Sequence, residues 1–129
     1  MKVEEWNYYS TDPKKKVSAK NLLKKPVNGN VFHFDKEKRV LRVENLSTDK
    51  ALRSYEIIEY KGNEIVKTDH GVEAGQVNSK TIFRSDDKKR LLEMLVYAPV
   101  GDDNELVLTK EVKNEYNDKE NKFVSTETE

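Results

Sequence analysis

The side chains that most often do chemistry are sparse in this chain. It has two histidines, His33 and His70, and no cysteine. Without cysteine there is no disulfide, no thiol nucleophile, no iron–sulfur cluster and no thiolate zinc site. A histidine metal site needs further ligands at close spacing, and Asp69 beside His70 is the only adjacent acid. Both histidines therefore read as satisfied or solvated side chains. Asp102-Asp103-Asn104 offers oxygens of the kind calcium takes, but without the ligand spacing of an EF-hand loop, so it reads as a turn. Asp86-Asp87 reads the same way. No serine lies in a Gly-x-Ser-x-Gly elbow, and the five glycines are isolated, so neither a nucleophile elbow nor a phosphate-cradling loop is present. Asn45-Leu46-Ser47 fits a glycosylation sequon but reads as part of a turn. No catalytic, metal-binding or cofactor-binding residue is expected, and no enzyme activity.

What stands out instead is aromatic. The single tryptophan and two of the six tyrosines, Trp6, Tyr8 and Tyr9, sit within the first nine residues. The three form either an edge strand packed on the domain or a contact surface for a partner. They are the candidate partner-contact residues, and a sugar-stacking platform is the third use of such a cluster.

Charge bounds the partners. Lys plus Arg and Asp plus Glu number 24 each, so the net basic footprint of a nucleic-acid binder is missing. The balance is uneven along the chain. Residues 1–27 hold seven lysines against three acids, and residues 111–129 hold six acids against three lysines. Charged residues make up 37%, against roughly 25% in ordinary globular domains. No apolar run reaches the roughly 18 residues of a membrane span, and Met1-Lys2-Val3-Glu4-Glu5-Trp6 lacks the apolar stretch of a signal peptide.

The elements that would carry these residues are strands. Tyr55 to Tyr60, then Lys61-Gly62-Asn63, then Glu64-Ile65-Val66 is a hairpin signature. Around it the alternation marks strands near 30–34, 39–45, 51–60, 64–67, 79–84, 89–98 and 105–112, separated by polar turns. Asn28-Gly29 reads as a turn, and Gly71 and Gly75 mark a crossover loop. Neither face of 51–60 is purely apolar. Residues 89–98 are apolar on both faces, as a central strand would be. Ser18 to Lys25 has room for two helical turns between Pro13 and Pro26. There is no internal repeat and no heptad pattern.

Seven strands at this rhythm predict an all-β fold, a seven-stranded antiparallel β-sandwich. The runs Val40 to Ser47, Tyr55 to Asn63, Val72 to Gln76, Thr81 to Phe83 and Leu92 to Val96 resemble bacterial immunoglobulin-like β-sandwich domains. That resemblance implies the sandwich over residues 29–112 and carries no functional residue with it. The expected organisation is a polar N-terminal arm and connector over 1–28, the immunoglobulin-like sandwich over 29–112, and an acidic, largely disordered tail over 113–129. The expected function is a structural or adhesive module of a cell-surface, spore or virion assembly, acting by protein–protein contact or self-association. Neither a small-molecule ligand nor nucleic acid is expected as partner. A surface location after removal of a leader is favoured over the cytoplasm. The alternatives are an intracellular inhibitor or immunity-type protein binding an enzyme, and a carbohydrate-binding module.

Overall fold

The structure, a computed structural model, describes residues 1–8, 26–73, 76–101 and 105–129. The fold is all-β. Nine strands form a single antiparallel sheet whose spatial order is the sequence order: β1 (Lys2–Asn7), β2 (Asn28–Phe34), β3 (Val40–Leu46), β4 (Leu52–Lys61), β5 (Glu64–Gly71), β6 (Val77–Ser85), β7 (Leu91–Pro99), β8 (Leu106–Asn117) and β9 (Lys122–Thr128). The sheet is open, and no helix occurs among the described residues. The chain divides into two compact units, Met1–Tyr55 and Glu56–Glu129.

This departs from the seven-stranded immunoglobulin-like sandwich. All seven expected strands are present, but each returns beside its predecessor, and none changes sheet. A Greek-key sandwich needs long connections that carry the chain from one sheet to the other. Here β4 and β5 meet at Gly62-Asn63, and β5 returns as β6 beside it instead of crossing over. Gly62 stands at φ +62°, a conformation glycine adopts without the Cβ clash that other residues suffer.

Two further strands flank these seven, the first an edge strand of the kind the N-terminal aromatics allowed and the last in a stretch expected to be disordered. Part of the presumed arm is β1, paired with β2 from Lys2 opposite His33 to Asn7 opposite Asn28. The presumed tail continues β8 to Asn117 and forms β9. Asn28-Gly29 opens β2 instead of making a turn. The helical stretch proposed for 18–25 lies outside the described residues.

Three of the turns share one design that their sequences do not show as a repeat. At Asp35–Arg39 the Asp35 carboxylate accepts from the backbone N–H of Glu37 and Arg39 (both 2.9 Å) and from Arg39 Nε (2.8 Å). At Asp86–Arg90 the Asp86 carboxylate does the same with Lys88, Arg90 and Arg90 Nε, at 2.9, 2.9 and 2.8 Å. In both, the fourth residue is a lysine with positive φ, Lys38 at 64° and Lys89 at 62°. Ser47–Ala51 is a variant: Ser47 Oγ accepts from Ala51 N–H at 3.2 Å, and Lys50 has φ 64°. This is the three-residue hairpin loop with a left-handed residue at the bulge, a place glycine usually takes.

Within Glu56–Glu129 the apolar side chains are shared between the two faces of the sheet. Val66, Ile82 and Leu95 stand opposite one another across β5, β6 and β7. Ile65, Phe83, Met94 and Val112 form a second row one residue along, and so point to the other side of the sheet. Beside the first row runs a row of charge: Glu64, Arg84, Glu93 and Lys113 are cross-strand neighbours. Arg84 reaches both Glu64 (3.3 Å) and Glu93 (2.9 Å). In Met1–Tyr55, Val31 sits between Glu4 and Glu44 and is only 4% exposed. Val66 and Leu95, at 5% and 8%, are the other buried apolar side chains among the described residues. Stems of long charged side chains cover such positions while their heads stay in water.

Candidate functional site

Two of the three candidate aromatics are described. Trp6 lies directly opposite Gly29 on β2. A Cβ built on Gly29 would stand 2.2 Å from Trp6 Cε3 and 2.5 Å from Cζ3, so the indole lies flat on the glycine backbone. This is an aromatic side chain filling the gap a strand glycine leaves. Lys50 Nζ stands over the ring, 5.7 Å from its centroid, within cation–π range. Tyr8 follows the end of β1 and is exposed at 43%. Tyr9 lies outside the described residues. The structure thus seats Trp6 on Gly29, where it fastens β1 to β2.

The face opposite Trp6 carries amides. Asn7 and Asn28 are cross-strand partners, as are Asn30 and Asn45. Asn7 Nδ2 donates to Asn28 Oδ1 at 2.7 Å, and Asn45 Nδ2 donates to Ser54 Oγ at 2.9 Å. These residues line an open polar depression. Nothing in the sequence singled them out, because asparagine in a strand is read as a turn residue.

His33 and several acids are hydrogen-bonded within the sheet and its turns. His33 Nε2 and Glu44 Oε1 are hydrogen-bonded across β2 and β3, and Arg42 lies 3.5 Å from the other Glu44 oxygen. The hydrogen bond with His33, helped by the charge of Arg42, holds the Glu44 carboxyl below the ordinary glutamate range against its partial burial. Arg42 also stacks on Tyr55 at 4.3 Å. His70 sits at the bulged end of β5 opposite Val77. Among the described residues no three of His, Asp and Glu are grouped to hold a metal ion. Asp86 is committed to its turn, Asp87 accepts from Asn63 Nδ2 at 3.2 Å, and Asp102 to Asn104 lie outside the described residues.

One glutamate is held the other way, above its ordinary range. Glu56 is pushed above the ordinary glutamate range, first by burial and then by the neighbouring Asp69 carboxylate, with Lys67 at 3.3 Å opposing the shift. Ser79 Oγ donates to Asp69 at 2.7 Å.

The outer strands are the remaining chemistry, and it is backbone chemistry. β1 pairs only with β2, and β9 only with β8, among the described residues. Each leaves a row of N–H and C=O groups without a strand partner on its outer side. No helix is long and apolar enough to cross a membrane among the described residues. No known protein family, curated protein or solved structure matches the chain.

Proposed function

We propose that this chain is a non-enzymatic contact module, a structural or adhesive β-sheet protein that binds other polypeptides through the edges of its sheet. The observation that carries this is the open sheet itself, with β1 and β9 each paired on one side only among the described residues. An extended segment of a partner adds to such an edge by main-chain hydrogen bonds, and alternate side chains give the specificity. The charged rows on the faces supply solubility and orientation in the encounter.

Selection from a displayed library of random peptides tests it. Enriched peptides should be extended and alternating, and on binding should slow amide exchange within residues 2–7 or 122–128. Enriched peptides that protect only turn residues, or no enrichment at all, would refute an edge-binding module.

A further inference from the structure

The two edges are not equivalent, and their difference identifies an occupant. We propose that β9 pairs antiparallel with β9 of a second copy about a two-fold axis through Ser125, joining the two sheets. This rests on the contact-module reading above and names the partner for one edge.

Natural edge strands are protected by proline, bulges or charged side chains. β9 has neither proline nor bulge. Its register with β8 runs unbroken from Lys122 opposite Asn117 to Thr128 opposite Glu111, and no proline occurs after Pro99. Its two charges are tied down within the chain: Lys122 bonds Glu120 at 3.0 Å, and Glu127 bonds Lys110 at 2.8 Å. Phe123 and Val124 are 59% and 53% exposed. The composition, Phe, Val, Ser and three Thr-or-Glu positions, suits a strand.

The two-fold pairing can be written out. Centred on Ser125, it sets Val124 against Thr126, Phe123 against Glu127 and Lys122 against Thr128. All seven residues are used and no like charges meet. The same operation on the middle of β1 sets Glu4 against Glu4 or Glu5 against Glu5, and like charges directly opposite destabilise a strand pair. β1 therefore guards itself against its own copy and β9 does not. A two-fold interface is also closed, so it yields a dimer and not a fibre.

One strand pair is smaller than a standard interface, which places the dissociation constant at about 10–100 µM. Sedimentation of the intact chain across that range should show a concentration-dependent dimer. Ser125→Lys puts two ammonium groups at the axis and should weaken association at least about tenfold, as should Ser125→Glu. Mixing these two variants should restore a heterodimer. Because the chain has no cysteine, Ser125→Cys supplies a single thiol. Directly opposed Cα atoms about 4.5–5.5 Å apart suit a disulfide, so mild oxidation should cross-link this variant, whereas Thr48→Cys should give no comparable cross-link. A chain that remains monomeric across the range overturns the proposal, and so does a dimer in which the Lys and Glu variants fail to pair. If peptides selected as described above still bind β9 of such a monomer, self-pairing fails while the contact-module reading stands.

Discussion

Replacing Gly29 by alanine should be destabilising for a reason that lies on the neighbouring strand, and removing Trp6 should reverse the sign. Gly29 has ordinary negative φ, since it is absent from the positive-φ positions, so alanine suits its backbone. The obstacle is the indole, 2.2–2.6 Å from the new methyl at its nearest three atoms. The indole is the rigid core of its side chain, so it must leave its seat. A tryptophan buries about 150–250 Å² when fully enclosed. Trp6 is half-buried, so roughly 100 Å² is at stake, or about 2–3 kcal/mol at 25 cal/mol per Å². Trp6→Ala alone should cost a similar amount. In the Trp6→Ala background, Gly29→Ala should cost nothing or stabilise by about 0.5 kcal/mol, because alanine loses less backbone freedom than glycine on folding. The coupling energy of the double-mutant cycle is then about 2–3 kcal/mol. Urea unfolding followed by far-UV circular dichroism measures all four proteins, since the two Trp6→Ala proteins lack the only tryptophan as a probe. Equal cost of Gly29→Ala in both backgrounds would show that the indole does not rest on Gly29.

Two other perturbations follow from local geometry. Lys38→Gly and Lys89→Gly should each raise stability by about 0.5 kcal/mol. Relief of a left-handed side-chain conformation costing about 1–2 kcal/mol outweighs the greater unfolded-state freedom of glycine. Lys50→Gly should gain less, because Lys50 also stands over Trp6, and urea midpoints that rise equally for all three would contradict this. For Glu56, whose folded pKa is raised by burial and Asp69, the folded state holds its proton to higher pH than the unfolded state. Its contribution therefore falls as pH rises from the ordinary glutamate value, about 4.3, through the raised folded value, and is flat above it. Glu56→Gln should remove that decline and be more stable than the parent at neutral pH, despite losing Lys67. Urea midpoints measured between about pH 4 and pH 7 would tell, and parallel pH profiles for parent and variant would count against the raised Glu56.

The interior strands were legible because turn chemistry and alternation agree there. Asp35 and Asp86 begin turns, Gly62 closes a hairpin, and the residues between alternate. The last strand was hidden by a false requirement. Tyr116, Phe123 and Val124 looked too sparse to bury a face, yet a strand at the edge of one layer needs one hydrogen-bonded neighbour and a few cross-strand contacts. Tyr116 supplies them: it stacks on Phe123 at 5.2 Å, lies under Arg90 at 4.5 Å and donates to the Leu91 carbonyl at 2.8 Å. Trp6 was noticed by its rarity, but its seat was not, because Gly29 is identified only through a register that spans the residues between β1 and β2. The repeated turn was missed because Asp35-Lys36-Glu37-Lys38-Arg39 and Asp86-Asp87-Lys88-Lys89-Arg90 look like generic charged loops until the positive φ of the fourth residue is seen.

The composition and the single layer explain each other. A sandwich buries one face of every sheet, so each strand should show one clean apolar face. Residues 51–60 show none, and the row Ile65, Phe83, Met94 and Val112 lies on the side opposite Val66, Ile82 and Leu95. Closing a second sheet over either row would bury charge beside it: Glu64, Arg84 and Glu93 next to the first, Lys67 and Lys110 next to the second. Removing such groups from water costs several kcal/mol per ion, and their pairing does not reliably repay it. Left in a single layer, the same groups keep their heads hydrated, pair across strands, and cover the apolar rows with their stems. The 37% charged content is then the covering that a second sheet would otherwise provide. A fold stabilised this way grows by adding strands at its edges, each new strand covering part of its neighbour. A second copy joined at β9 would therefore extend the same design and need no new kind of interface.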